Sequence, residues 1–156
     1  MRRLPFLFLA IICLGAGVLS GLVRAGVSMP LSLAAHPGLH SPLMISGFFG
    51  TVIGLERAVA IRKPWAYIAP LLSALGGLTL LMGMPENLAT LLFVLAGLCF
   101  VAATIRVVLV QPAIYTATLL MGAILWLLGN IGWLISGNAW VSIPFGLSFL
   151  VLTIAG

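Results

Sequence analysis

Residues 40–61 read HSPLMISGFFGTVIGLERAVAI, an apolar run that carries charge only near its end, at Glu56 and Arg57. An α-helix rises about 1.5 Å per residue, so a run of about twenty residues is long enough to cross the hydrocarbon core of a bilayer. The run opens on His40, and a polar ring at the edge of a bilayer core needs a hydrogen-bond partner or a metal. We therefore predict a transmembrane helix whose functional group lies at one end.

Five further apolar runs accompany this one. Windows of about 19 residues place them at residues 4–23, 65–83, 88–110, 113–135 and 139 onward. The chain of 156 residues is 63% hydrophobic and only 6% charged, with a mean hydropathy of +1.32, which excludes a water-soluble globule. The predicted fold class is all-α: a polytopic transmembrane helical bundle of about six spans, forming one domain over residues 1–156.

The links between the runs are short, which predicts the topology. Segments such as 62–64 and 84–87 leave room only for tight turns, so consecutive helices should be antiparallel neighbours. Most basic residues then fall at one end of the bundle: Arg2, Arg3, Arg57, Arg62, Lys63 and Arg106. The positive-inside rule predicts that this end, with the N-terminus, is cytoplasmic in a multi-pass inner-membrane protein surrounded by the lipid bilayer. Arg24 alone lies at the opposite end and needs a partner there.

Charge and motifs exclude several classes of function. The isoelectric point near 10.3 arises because seven basic residues face only two acids, Glu56 and Glu86, so we predict no nucleic-acid partner. The chain has no aspartate, nucleophile elbow, phosphate loop or paired cysteine–histidine zinc pattern. Hydrolytic and phosphoryl-transfer chemistry is therefore not expected, and the sequence does not decide whether the protein is an enzyme.

One face of the 40–61 helix combines possible ligand side chains with small residues that leave room beside them. At about 100° per residue, His40, Met44, Gly47 and Thr51 share one stripe. An imidazole, a thioether and a floor of small residues suit a planar macrocycle such as haem, with His40 as the iron ligand. The alternative is that the glycines receive a neighbouring helix while His40 caps its span or bonds a loop carbonyl. The spacing leaves both interpretations open.

The segment LVRAGVSMP at 22–30, followed by HSPLM at 40–44, resembles the end of helix one and the start of helix two in haem–copper oxidase subunit I. The resemblance implies that His40 is an axial ligand of a haem and that Arg24 helps to hold it. The pattern H-x3-M-x2-G-F-x-G-x-V-I at 40–53 is also similar to the histidine-containing helix of NnrS-like membrane haem proteins, which are linked to nitric oxide metabolism. The implied function is haem binding and electron transport in respiration or nitric oxide metabolism, with a cofactor site of His40, Met44, Gly47, Thr51 and Arg24.

The chain departs from the oxidase pattern in its last run. Residues from 139 onward contain no histidine, whereas an oxygen-reducing subunit carries copper ligands on its sixth helix, so we expect no copper centre. The second axial ligand would then come from elsewhere. We expect the chain to be half of a longer bundle that supplies it, or to work with other membrane subunits. The alternatives to haem are a transporter-like bundle with Glu56 and Arg57 in its pathway and a structural membrane bundle without a cofactor.

Overall fold

The computed structural model describes residues 3–28 and 36–156, which form a bundle of helices joined by short turns. Arg2, and the Met29 and Pro30 of the oxidase-like motif, lie outside the described residues. The helices are α1 (Leu4–Arg24), α2 (Pro42–Ile61), α3 (Ile68–Leu81), α4 (Glu86–Val110), α5 (Ile114–Ser136) and α6 (Ile143–Ala155). Turns of 3₁₀-helix precede three of them, at Pro37–Leu39, Pro64–Tyr67 and Ala139–Ser142.

The described helices have the length and composition of membrane spans. Five segments are long and apolar enough to cross a membrane, and a sixth apolar helix, Ala139–Ala155, is shorter. Large apolar side chains such as Phe8, Leu109 and Ile154 are exposed on the outside of the bundle, where lipid would cover them. The predicted all-α class is confirmed, and the predicted spans agree with the helices to within one turn.

Consecutive helices alternate in direction, which gathers most of the described basic residues at one end of the bundle. Arg3 lines a cavity with Arg62 and Lys63, and Arg106 lines a neighbouring cavity that also includes Lys63. The opposite end carries Arg24. The predicted separation of charge between the two ends is therefore present in the fold.

Helix α2 changes its hydrogen-bond spacing halfway along. Residues Pro42–Phe49 are π-helical and Gly50–Ile61 are α-helical; the N–H of Gly50 bonds the carbonyl of Ile45, five residues back. A π-helical turn is wider than an α-helical one. The stripe predicted at 100° per residue therefore does not describe the upper half of α2.

Small residues let three helices approach this π-helical segment. A Cβ atom on Gly47 would lie 3.1 Å from the Cys13 sulfur of α1 and 3.5 Å from the Cα of Gly77 on α3. On the α6 side, a Cβ atom on Gly146 would lie 2.7 Å from Ile45. Without a hydrophobic driving force between helices in lipid, such close backbone contact supplies the packing energy. The glycines on α2 therefore receive neighbouring helices.

A buried polar cluster joins α2, α3 and α5 at the same level. Ser73 Oγ donates to the carbonyl of Ser46 at 2.5 Å, and Trp126 Nε1 donates to Ser46 Oγ at 3.1 Å. Ser46 Oγ in turn donates to Asn130 Oδ1 at 3.3 Å, and Asn130 Nδ2 donates to the carbonyl of Trp126 at 2.9 Å. Each of these side chains is buried, so their bonds satisfy polar atoms that lipid could not.

Candidate functional site

His40 lies at the start of α2 with its ring against α1. Its Nδ1 is 2.8 Å from the carbonyl oxygen of Gly17. A carbonyl oxygen only accepts, so Nδ1 carries the proton in this bond. In the neutral ring Nε2 then keeps its lone pair and can act as a ligand. His40 thus bonds a helix carbonyl rather than the loop carbonyl of our alternative prediction.

Two glycines of α1 make space for α2 side chains. A Cβ atom on Gly21 would lie 2.7 Å from His40 Nδ1 and 2.9 Å from Cε1. A Cβ atom on Gly17 would lie 2.9 Å from the Met44 sulfur. Real Cβ atoms do not come this close to their neighbours, so the ring of His40 can lie where it does only because residue 21 lacks a side chain.

The ring of His40 lines a cleft of about 840 Å³ at this end of the bundle. The end of α1, the start of α2 and the residues that lead into α6 form its walls. Most of the lining is apolar; the charged and aromatic contributors are Arg24 and Trp140. Ligand sites commonly have volumes of about 300–1,000 Å³ and apolar walls with a few polar groups, which this cleft matches.

Arg24 lies over the ring of Trp140, with the guanidinium carbon 4.4 Å from the ring centroid. A cation–π contact of this kind contributes about 0.5–2 kcal/mol. The stacked guanidinium still has N–H groups at its edge that can bind a carboxylate. The partner expected for Arg24 from the sequence is thus an aromatic ring. The antiparallel topology gives a partial indication of this contact, because it places the end of α1 and the start of α6 at the same end of the bundle.

The structure brings together only part of the predicted site. His40 and Arg24 line the same cleft. The other three predicted residues contact protein. Met44 packs on Gly17, and Gly47 packs on Cys13 and Gly77. Thr51 is fully buried and donates to the carbonyl of Gly47 at 2.7 Å.

The open floor that we predicted beneath His40 is therefore covered by α1 and α3. The period of one helix shows which of its residues share a face but not which helices cover that face. The binding roles of Met44, Gly47 and Thr51 stay predictions, and the cleft itself is built on His40 and Arg24.

The other polar residues singled out in the sequence lie elsewhere. His36 is exposed, and its Nδ1 accepts from the N–H of Gly38 at 3.2 Å; it does not line the His40 cleft. Glu56 is exposed on the outer face of α2. The buried Nε of Arg57 has no hydrogen-bond partner among the residues that the structure describes. Within residues 3–28 and 36–156, no group of three or more His, Cys, Asp or Glu side chains is arranged to hold a metal ion.

Comparison with known families assigns the chain to one of them. The family model described as a domain of unknown function (DUF8744) matches residues 3–156, so the chain belongs to this family. Neither the curated proteins nor the solved structures contain a match to the chain. The family description states no activity, and the function is therefore argued from the cleft.

Proposed function

We propose that this protein is a multi-pass inner-membrane haem protein in which His40 is an axial ligand of the iron through Nε2. The observation that carries the proposal is the bond from His40 Nδ1 to the carbonyl of Gly17 at 2.8 Å. Histidines that bind metals almost always donate their other ring N–H to a carboxylate, a carbonyl or water, which fixes the ring and raises its basicity. His40 already has this arrangement.

The cleft supplies two further features that suit haem. Its volume of about 840 Å³ and its apolar walls favour a large planar ligand. Arg24 lines the same cleft and would bind a haem propionate, because guanidinium and carboxylate form paired hydrogen bonds. A bound haem would supply electron transfer or the binding of a small gas such as nitric oxide, in line with the resemblance to oxidase and NnrS-like helices.

The proposal includes an orientation and a partner. The positive-inside rule places the N-terminus in the cytoplasm, so the His40 cleft would face the periplasm. His36 does not line the cleft with His40. We therefore propose that any second axial ligand is contributed by another membrane subunit or by further helices of a longer bundle.

A structural role is the second candidate, and the same hydrogen bond favours it. A side chain that bonds a carbonyl of the neighbouring helix stabilises the contact by about 0.6 kcal/mol on average. His40 would then fix α2 against α1 without binding any cofactor. The transporter-like alternative has less support, because Glu56 is exposed on the outer face of α2 rather than between helices.

Two substitutions at residue 40 separate these roles. In His40→Asn the side-chain amide offers an N–H near the position of Nδ1 but provides no ring nitrogen for iron, whereas His40→Ala removes both functions. We expect purified wild-type protein to show a Soret band and one haem per chain by pyridine haemochrome assay. His40→Asn should lose the haem and keep a thermal midpoint near that of the haem-free wild type. His40→Ala should lose the haem and also have a lower thermal midpoint.

Two results would refute the haem proposal. The first is colourless wild-type protein after expression with added haem precursor. The second is a His40→Asn variant that retains the wild-type haem content. If the wild type is colourless and His40→Ala is less stable than His40→Asn, the structural role is the correct one.

A further inference from the structure

A second large cavity lies at the opposite end of the bundle from His40. Its volume is about 840 Å³, and it is formed by the start of α1, the end of α2 and the turn that leads into α3. Three cations line it, Arg3, Arg62 and Lys63, together with the aromatic residues Phe6 and Tyr67. In the sequence these cations indicate only the orientation in the membrane.

The backbone at the end of α2 holds two of the cations in place. Arg62 has a left-handed conformation, with φ of 57°, and ends the helix. Lys63 is extended, with φ of −115° and ψ of 139°, as expected for a residue before proline. The rings of Phe6 and Tyr67 pack with centroids 6.0 Å apart, which ties the start of α1 to this turn. The cluster is therefore a feature of the fold rather than of one flexible loop.

The positive charge of this cavity is not balanced by the protein. No acid is among the residues that line it. The chain has two acids in all: Glu86 begins α4 at the other end of the bundle, and Glu56 is exposed on α2 outside the lining. Like charges held around one cavity repel each other, and a bound anion removes that repulsion.

We propose that this cavity binds the phosphate group of an anionic phospholipid. Guanidinium groups bind phosphate with paired hydrogen bonds, and a lysine ammonium adds a point charge. Phe6 and Val59 provide apolar surface for the glycerol and acyl part of the same molecule. Basic pockets between transmembrane helices are known to bind anionic head groups in this way. The site is independent of the haem proposal.

The competing explanation is a diffuse attraction between basic residues and the membrane surface. Arg106 provides the matched control, because it is exposed at the same end of the bundle but lines a different cavity. If the attraction is diffuse, the affinity for the lipid falls by the same amount when any one of these charges is removed. If the cavity is a specific site, the affinity falls most when the charge of Arg3 or Arg62 is removed.

Native mass spectrometry of the full chain in detergent tests the proposal, with dioleoyl phosphatidylglycerol, dioleoyl phosphatidylcholine and inorganic phosphate as probes. We expect one phosphatidylglycerol to stay bound per chain and to raise the thermal midpoint, with no such effect of phosphatidylcholine. Arg62→Gln and Arg3→Gln should each weaken this binding by about tenfold, and Arg106→Gln should leave it unchanged. Arg3 and Arg62 lie in separate segments, so a folding defect in one variant would not explain weaker binding in both.

Three results would overturn the proposal or part of it. Equal retention of phosphatidylglycerol and phosphatidylcholine would exclude recognition of an anionic head group. Equal losses in Arg62→Gln and Arg106→Gln would show a diffuse attraction instead of a site. If inorganic phosphate raises the thermal midpoint as much as the lipid does, the cavity binds phosphate but the lipid is not its specific ligand.

Discussion

The ring of His40 is held by two residues of α1, one that bonds it and one that leaves room for it. Gly17 accepts the hydrogen bond from Nδ1 through its carbonyl, and Gly21 lies against the ring with no side chain of its own. The two glycines are one turn apart on the same helix face. The placement of the His40 ring therefore depends on the sequence of α1 as much as on His40 itself.

Gly21→Ala should displace this ring. The added methyl group would lie 2.7 Å from Nδ1, so either the ring turns away or α1 moves, and in both cases the bond to Gly17 is lost. We expect a lower thermal midpoint and a loss of haem from any haem-loaded protein. Gly15→Ala is the control, since a Cβ atom there meets nothing within 4 Å and alanine is the better helix former by about 1 kcal/mol. Equal behaviour of the two variants would show that the ring is not tightly seated.

At this scale the sequence predicted the polar residues of the site but not their neighbours. His40 and Arg24 stand out because each is a polar residue at the end of an apolar run. The contact of Arg24 with Trp140 was not predicted, because hydropathy places both residues at the ends of spans without showing which side chains meet. The covering of Gly47 by α1 and α3 was missed because it depends on the packing of three helices.

Helix α2 packs against α1, α3, α5 and α6 through its π-helical segment. A change from π-helical to α-helical spacing skips one backbone carbonyl, and the carbonyl of Ser46 accepts a bond from Ser73 Oγ at this change. The hydroxyl of Ser46 accepts from Trp126 as well. The hydrogen bonds that the irregular helix requires are thus supplied by α3 and α5.

Ser73→Ala should destabilise the bundle by about 1 kcal/mol or more, because it leaves the buried carbonyl of Ser46 without this donor. Ser148→Ala is the matched control: Ser148 on α6 is only partly buried and bonds only within its own helix, to the carbonyl of Pro144. Unfolding in increasing dodecyl sulfate, followed by circular dichroism, measures both variants. If they have the same midpoint, the π-helical segment does not need the hydroxyl of Ser73.

The helices themselves were predictable from the sequence, whereas the π-helical segment was not. Runs of apolar residues between short polar links mark where a chain crosses lipid, and the helix ends at Ile61 and Val110 fall where these runs end. The widened turn at Pro42–Phe49 cannot be recognised from the hydropathy of the sequence. Its contacts with α1, α3 and α6 belong to the tertiary packing, which a pattern within one segment does not contain.

In the whole molecule, the two candidate sites are separated by the length of the bundle. Short connections make the helices antiparallel, so the His40 cleft and the basic cavity lie at opposite ends. This arrangement was predictable from loop lengths and from the positions of the basic residues. The lining of the two cavities was not, because each combines residues from helices that are distant in sequence.

The same separation predicts how the protein is oriented in the membrane. Gln111 is exposed in the connection after α4, at the end that carries Arg106, and Met84 is exposed in the connection before α4, at the other end. Because the excess of basic residues stays in the cytoplasm, Gln111→Cys should react with a membrane-impermeant maleimide only after permeabilisation. Met84→Cys should react in intact spheroplasts.

The wild-type chain is the control for this labelling. Its free thiols, Cys13 and Cys99, lie within α1 and α4 and should stay unlabelled. The reverse pattern would place the His40 cleft on the cytoplasmic side and contradict the orientation that we propose. Labelling of both variants from the same side would mean that α4 does not cross the membrane. Since α4 is the longest of the described helices and joins the two ends, that result would contradict the six-helix membrane arrangement as a whole.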